Sequence, residues 1–269
     1  MGVQCSRGML ISSMKIPLYL VSVVPLLFSW VNSEFSRLPV FVLSMIFVLF
    51  SQFLMNAEMD RLDKNYGNKG IKCSSILPIG PCIFECLDQK IIRKAETISL
   101  VLVILTSSLV IIITRLALLI IIGMLAIILM FAYLYPPIKL YKRGIGEIST
   151  FFDFGPLLLL GSYYAFTGSM TYSLIPASIG FGLIASAIRF SHHVIEEQEK
   201  SIRKRMYVPL FFLLIVVSAI ITGWQLSLKH IILITLSFFV GSLPLMTKDN
   251  QKVSTIAIAF LVIFAILIL

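Results

Sequence analysis

Two pairs of acidic residues in this sequence have a spacing that suits chemistry on a cation and a phosphate. Asp60 and Asp63 follow one apolar run, and Glu196 and Glu199 follow another. On a helix, residues three apart share one face with about 5–6 Å between their Cβ atoms. Mg²⁺ binds through one or two carboxylates together with substrate phosphates. The two pairs therefore predict a magnesium site for a diphosphate, and the alternative is two ordinary solvated helix ends.

Asp153 is the one carboxylate that falls clearly inside an apolar run. It lies about two turns into that run, after Pro136 and Pro137 end the preceding one. An ionisable group at bilayer depth costs about 2.5–3.5 kcal/mol on insertion scales, so it marks a functional site by default. A neutral, hydrogen-bonded Asp inside a helix bundle is the alternative.

Membrane helices are the elements that must position these residues. The chain has 269 residues, 58% hydrophobic and 13% charged, and its mean hydropathy is +0.99. A spanning helix needs roughly 20 apolar residues. The runs predict an all-α membrane protein, one polytopic domain over residues 1–269 with nine transmembrane helices and little structure in 1–13. The predicted spans are 16–32, 38–56, 96–114, 116–134, 148–168, 171–190, 206–225, 229–246 and 254–269.

The distribution of basic residues predicts the orientation. Nine spans place nineteen of the 22 Lys and Arg residues on one side of the membrane and three on the other. Cytoplasmic loops carry such an excess, so we expect a cytoplasmic N-terminus, an external C-terminus and both acidic pairs on the cytoplasmic face. The basic residues also suit anionic lipid; no nucleic-acid partner is expected.

The four cysteines, Cys5, Cys73, Cys82 and Cys86, all fall on the predicted cytoplasmic side. Thiols in the cytosol stay reduced. The sequence has no CxxC pair and no His near these cysteines, so we do not expect a zinc site. We expect four incidental, reduced thiols.

One long segment resembles a known family of membrane enzymes. "YPPIKLYKRGIGEISTFFDFGPLLLLGSYYAFTG", Tyr135 to Gly168, is similar to the 1,4-dihydroxy-2-naphthoate prenyltransferase branch of the UbiA superfamily. "IPLYLVSVVPLLFSW" resembles the first helix of that family. The family has nine helices and two Asp-rich motifs, one after helix two and one after helix six, and the resemblance covers roughly residues 15–269.

The first Asp-rich motif is partly kept. The family pattern is Asn-Asp-x-x-Asp-x-x-x-Asp, and Asn56 and Asp60 match it. Ala57 replaces the second residue, and Lys64 stands where the last Asp belongs. Asp63 lies one position early, which suggests a rearranged metal site.

The second motif departs further and repeats that displacement. His192 and His193 stand for two Asn residues, and Glu196 for the first Asp. Lys200 takes the place of the second Asp, and Glu199 precedes it by one. A divergent member with weak metal affinity or no catalysis is the alternative.

The resemblance implies an Mg²⁺-dependent transferase in the cell membrane. It would join a polyprenyl diphosphate, its tail in an apolar groove open to lipid, to an aromatic acceptor such as 1,4-dihydroxy-2-naphthoate for menaquinone synthesis. The implied catalytic residues are Asp60, Tyr135 and Glu196. The implied metal ligands are Asp60, Asp63, Glu196 and Glu199. The implied substrate-binding residues are Asn56, Lys139, Lys142, Arg143, Asp153, His192, His193 and Arg205.

Several roles stay open at this point. Tyr135 could stabilise a cation through its ring or serve as an interfacial anchor. His192 and His193 could bind a second metal, act as a base or only pack at the interface. For the whole chain, the alternatives are another acceptor (4-hydroxybenzoate or a glycerophosphate lipid), a non-catalytic isoprenoid-binding protein, or a transporter. Transporter sites usually lie at the midplane between inverted repeats, whereas these polar groups gather at one face.

Overall fold

The computed structural model describes most of the first 200 residues. It covers residue 5, residues 7–65, 73, 78, 80–143 and 145–200, and scattered positions between 213 and 266. For Lys142 and residues 191–200, the structure describes the helical backbone and not the side chains.

Every element in the described part is helical, which confirms the predicted all-α class for this part of the chain. A 3₁₀ turn, Ile16–Tyr19, leads into the second helix, and another, Tyr172–Leu174, leads into the last. A π-helix, Asp153–Leu160, joins the eighth and ninth helices. The helices are α1 Arg7–Ser13, α2 Leu20–Asn32, α3 Leu38–Asn65, α4 Cys82–Cys86, α5 Gln89–Thr114, α6 Leu118–Leu134, α7 Leu140–Arg143, α8 Gly146–Phe152, α9 Gly161–Thr167 and α10 Ile175–Lys200.

The described helices have the length and surface of membrane helices. Four stretches are long and apolar enough to cross a bilayer: Arg7–Asn32, Leu38–Asn65, Gln89–Thr114 and Tyr172–Phe190. The outer faces of α5 and α6 expose many Ile and Leu side chains, which is expected of helices that contact lipid. Predicted spans 206–225, 229–246 and 254–269 lie mostly outside the described residues, so nine spans and the orientation stay predictions.

Two predicted spans extend as helices into their polar continuations. α3 runs to Asn65 instead of ending near 56, and α10 runs to Lys200 instead of 190. Glu, Lys, Arg and Met are good helix formers, so the helix continues after the apolar run ends. Residues 7–13, expected to carry little structure, form α1. Each acidic pair therefore lies on a continuous helical backbone.

Segment 146–167 is an interrupted helix. Pro156 lies within its π-helical part; proline lacks an N–H and its ring crowds the carbonyl four residues earlier. Neighbouring helices supply hydrogen bonds to carbonyls of this segment. Ser29 Oγ of α2 donates to the Leu159 carbonyl at 2.8 Å, and Ser186 Oγ of α10 donates to the Glu147 carbonyl at 2.8 Å. Irregular backbone at membrane depth is tolerated where such partners exist.

Two glycines allow α10 to pack closely on the interrupted helix. A Cβ on Gly182 would lie 2.6 Å from the Phe151 carbonyl oxygen, and a Cβ on Gly155 would overlap the Ser178 carbonyl oxygen. Small residues at such crossings let helix backbones approach in a membrane. The crossing fixes Asp153 beside α10.

We expect Gly182→Ala to lower the free energy of unfolding by about 1–3 kcal/mol, because the added methyl group meets backbone that cannot move aside cheaply. Gly123→Ala on α6 is the matched control, since a Cβ there meets no atom within 4 Å. That change should be neutral or stabilise by up to about 1 kcal/mol through helix propensity. Unfolding in detergent, followed by circular dichroism, measures both. Equal stability of the two variants would show that the crossing is not tight.

Candidate active site

A buried ion pair joins the N-terminal segment to the end of α3. Lys15 Nζ donates to Asp60 Oδ1 at 2.5 Å, and the Ile83 backbone N–H of α4 donates to Asp60 Oδ2 at 3.1 Å. The Asp60 residue is 1% exposed. Three elements therefore converge on this one carboxylate.

The two aspartates of the first acidic pair are buried. Asp63 lies one helical turn after Asp60 and is 9% exposed, so the alternative of a solvated helix end is wrong for this pair. Sequence reasoning missed this because it treated the residues after position 56 as a polar exit from the membrane.

The first acidic pair is the part of the predicted metal site whose side chains are described, and there Asp60 forms an ion pair with Lys15. Each oxygen of Asp60 accepts one hydrogen bond, from Lys15 and from the Ile83 backbone N–H. Within the described residues, no three His, Cys, Asp or Glu side chains group as metal ligands. The other predicted ligands, Glu196 and Glu199, lie on α10, where the backbone alone is described. Magnesium binding therefore stays a prediction.

Two disulfides cap this region, so the prediction of reduced thiols is wrong. Cys5 pairs with Cys86 and Cys73 with Cys82, at sequence separations of 81 and 9. Neither spacing has a recognisable sequence signature; the first pair forms because α1 packs on α4. Disulfides are rare in the cytosol, so the pairing argues against a reducing environment here, whereas the basic charge favours the cytoplasmic side.

We expect the purified chain, when it is denatured without reductant, to take up no maleimide label, because all four thiols are in disulfides. After reduction, mass spectrometry should find four labels per chain, and this sample is the control for access. Labelling of any cysteine without reductant would contradict the pairing and restore the expectation of free thiols.

A polar cavity of about 120 Å³ lies within the bundle beside the ion pair. Two predicted substrate-binding residues, Asn56 and Asp153, both line it although 97 positions separate them in sequence. α3, the interrupted helix and α10 bring them together. The other polar lining residues are Lys15, Gln52, Tyr133, Ser149, Thr150 and Arg189.

Hydrogen bonds orient both of these side chains. Ser22 Oγ donates to Gln52 Oε1 at 2.7 Å, and Gln52 Nε2 donates to Asn56 Oδ1 at 3.4 Å. Ser149 Oγ donates to Asp153 Oδ2 at 3.2 Å. Among the described residues, the buried atoms Asn56 Nδ2 and Asp153 Oδ1 have no hydrogen-bond partner. Both atoms are fully buried within residues that line the cavity.

Tyr135 belongs to a charged network at the ends of α3, α5 and α6. Its hydroxyl donates to Glu58 Oε1 at 2.7 Å. Arg61 donates to Glu58 Oε2 at 2.7 Å and also pairs with Glu96. Burial, together with the hydrogen bond to Glu58, raises the pKa of Tyr135 to about 12. The phenol therefore stays a protonated donor near neutral pH.

The remaining predicted residues are not gathered at the cavity. Lys139 is half-buried, and the exposed Arg143 donates to the Pro137 carbonyl at 2.6 Å. Lys142 lies on α7, and the helical backbone of α10 carries His192 and His193; the side chains of these three are not described. Arg205 lies outside the described residues.

Sequence reasoning missed three residues of this region. Lys15 and Arg189 were counted as topology signals, because charge at the end of an apolar run has a sufficient explanation in orientation. Arg189 lines the cavity and its guanidinium carbon lies 5.2 Å from the centre of the Tyr133 ring. Glu58 has no motif position, and its role becomes visible when α6 brings Tyr135 to it.

An apolar groove of about 370 Å³ lies on the other side of the segment that follows Lys15. Its lining residues are Ile16, Pro17, Tyr19, Leu20, Val23, Thr255 and Ile258. Lys15, Leu18 and Val21 of the same segment line the polar cavity. One stretch of chain therefore separates a polar compartment from an apolar one.

Comparison with known proteins gives one partial similarity. A stretch of 63 residues, 23% of this chain, is 32% identical to 2-carboxy-1,4-naphthoquinone phytyltransferase from Synechocystis sp.. The match spans only 20% of that relative's length. No known family's sequence profile matches the chain. The similarity supports a general relationship to prenyltransferases and leaves acceptor and metal undetermined.

We expect Lys15→Met to lower the free energy of unfolding by about 3–5 kcal/mol, because the change leaves the Asp60 carboxylate buried without its cation. Adding Asp60→Asn should recover most of that loss, since the second change removes the unpaired charge. Unfolding in detergent measures the wild type, both single variants and the double variant. Losses that simply add in the double variant would show that the two groups do not interact.

Proposed function

We propose that this protein is an intramembrane prenyltransferase that joins a polyprenyl diphosphate to an aromatic acceptor such as 1,4-dihydroxy-2-naphthoate. The similarity of a 63-residue stretch to a naphthoquinone phytyltransferase carries the proposal. A role in menaquinone synthesis would follow from that acceptor. The sequence pattern from Tyr135 to Gly168 supports the naphthoate branch over other acceptors.

The two compartments provide complementary environments for the two substrates. The apolar groove suits an isoprenoid tail, which gains by leaving water or lipid headgroups for an apolar wall. The polar cavity suits the acceptor, because it offers hydrogen-bonding groups inside an otherwise apolar bundle. Since the segment that follows Lys15 lines both the groove and the cavity, the reacting ends of both substrates would meet near the Lys15–Asp60 pair.

The chain's own cations would bind the diphosphate. Lys139 and Arg143 lie four and eight residues after Tyr135, and Lys142 lies between them on α7. Arg and Lys stabilise phosphate oxygens by charge-assisted hydrogen bonds, and positive charge at a leaving diphosphate lowers the barrier. Mg²⁺ would supply further charge there; this requirement is proposed from the acidic pairs in the sequence, with Asp63, Glu196 and Glu199 as ligands beside Asp60.

Tyr135 would stabilise the allylic cation that forms when the diphosphate leaves. Its hydroxyl donates to the Glu58 carboxylate, which fixes the ring orientation. The same hydrogen bond to an anion increases electron density in the ring, and an electron-rich ring attracts a cation at its face. Arg61 and Glu96 hold Glu58 in place from the other side.

The test is turnover by purified protein in nanodiscs. A radiolabelled polyprenyl diphosphate is offered with 1,4-dihydroxy-2-naphthoate, 4-hydroxybenzoate or a glycerophosphate lipid, with Mg²⁺ or with EDTA. We expect a prenylated naphthoate product and its loss in EDTA. Product with only the glycerophosphate lipid would overturn the proposed aromatic acceptor. Full activity in EDTA would overturn the metal requirement. Isoprenoid flux across the membrane without product would favour a transporter.

Variants of Tyr135 test the role of its ring. Tyr135→Leu removes the ring, and we expect turnover to fall roughly 2–30-fold, which corresponds to the 0.5–2 kcal/mol of a cation–π interaction. Tyr135→Phe keeps the ring and removes only the hydroxyl, so its loss should be smaller. Equal losses of turnover in both variants would assign the effect to the hydroxyl and contradict the proposed role of the ring.

A further inference from the structure

We propose that the Cys5–Cys86 disulfide is a redox-sensitive latch that holds Lys15 and the Ile83 backbone on Asp60. A dithiol reductant breaks the bond by thiol–disulfide exchange. The two thiols of the reductant become a disulfide, and Cys5 and Cys86 each gain one electron and one proton. The latch itself does not depend on the proposed function, whereas its effect on turnover rests on that function.

The latch joins the two segments that bind Asp60. Cys5 lies two residues before α1, and Lys15 lies two residues after it. Cys86 is the last residue of α4, three residues after Ile83. Lys15 Nζ donates to Asp60 Oδ1 at 2.5 Å, and the Ile83 N–H donates to Asp60 Oδ2 at 3.1 Å. One covalent bond therefore connects the segments that supply both of the hydrogen bonds described for this carboxylate.

The two disulfides differ in their access to a reductant. Cys5 and Cys86 are partly exposed, whereas Cys73 and Cys82 are 6% and 0% exposed. Exchange requires a thiolate to reach one of the sulfur atoms. Cys73 Sγ also lies 3.4 Å from Glu85 Oε2, and this carboxylate repels an approaching thiolate. A mild reductant therefore opens Cys5–Cys86 first and leaves Cys73–Cys82 in place.

A redox-sensitive bond accounts for the disagreement between the disulfides and the charge distribution. The basic residues predict that this end of the bundle faces the cytoplasm. Structural disulfides are rare there, and those that do form are usually transient and catalytic or redox-sensing. A bond that opens and closes with the thiol balance of its compartment is compatible with both observations.

α1 has little else to hold it in place. It has seven residues, and Ser13 is the one among them that is buried. Isolated helices shorter than about 12–15 residues are marginal in water, so contact with α4 and the disulfide must support it. The chain continues from α1 through Lys15 into the segment that lines both the groove and the cavity. Opening the latch therefore loosens the wall between the two compartments.

The test measures how fast the Lys15 amine is acylated in the full chain in nanodiscs. One sample stays oxidised, and the other is treated with dithiothreitol, alkylated at its free thiols and freed of reductant. Mass spectrometry then reads each lysine. We expect Lys15 to react at least about tenfold faster in the reduced sample, because its buried pair with Asp60 opens more often. The exposed Lys90 is the internal control and should react equally in both.

Two double variants separate the latch from the other disulfide. Cys5→Ser with Cys86→Ser removes the latch, so Lys15 should react fast with or without reductant. Cys73→Ser with Cys82→Ser is the matched control, because it removes the same two atom types from the neighbouring bond. This control should keep slow acylation of Lys15 when oxidised and fast acylation when reduced.

Equal Lys15 rates in oxidised and reduced wild type would overturn the inference, as would alkylation of Cys73 and Cys82 before Cys5 and Cys86. The wild-type comparison needs no substitution, so it decides the matter even if a variant fails to fold. Turnover is measured in the same two samples, and we expect it to fall on reduction, because the wall that orients the substrates is less ordered. Absence of turnover in both samples would instead overturn the prenyltransferase proposal alone.

Discussion

The ion pair between Lys15 and Asp60 is the constraint on which the candidate site depends. An unpaired carboxylate or ammonium group taken out of water carries a penalty of several kcal/mol, so each of these residues requires the other. Their pairing draws the N-terminal segment against the end of α3 and leaves the second oxygen of Asp60 for the backbone of α4. α1 packs on α4, and two disulfides hold that arrangement covalently. The polar end of the described bundle is thus organised around a single carboxylate.

The interrupted helix is the second feature that organises the interior of the bundle. A regular helix would satisfy its own backbone, but the π-helical turn around Pro156 receives a hydrogen bond from the neighbouring Ser29. The same segment carries Asp153 and packs on α10 at a glycine crossing that admits no side chain. Departure from regular structure and the presence of an intramembrane carboxylate therefore occur at one place. π-Helical turns are frequently found at functional sites, and here the turn begins at Asp153 itself.

Hydropathy and local propensity were sufficient to predict the helical class and the approximate positions of the helices that the first six apolar runs form. The break at Pro136 has a local cause, so it could be predicted as well. Partnerships that depend on tertiary packing could not. Lys15 and Asp60 are 45 residues apart and Asn56 and Asp153 are 97 apart, and nothing local couples them. The disulfides escaped prediction for the same reason, as did the pairing of Asp60 with a lysine.

The geometry of the wall between groove and cavity has a mechanical consequence. In the 3₁₀ turn of Ile16–Tyr19, residues three apart eclipse one another, so Ile16 and Tyr19 stack in line on the groove side. In an α-helix, three residues advance by only about 300°, and Tyr19 would rotate about 60° out of that row. A change of winding in this one turn would therefore change which side chains line the groove. The partition is one chain thick, and the surface that it presents to each compartment depends on the number of residues per turn as well as on which residues they are.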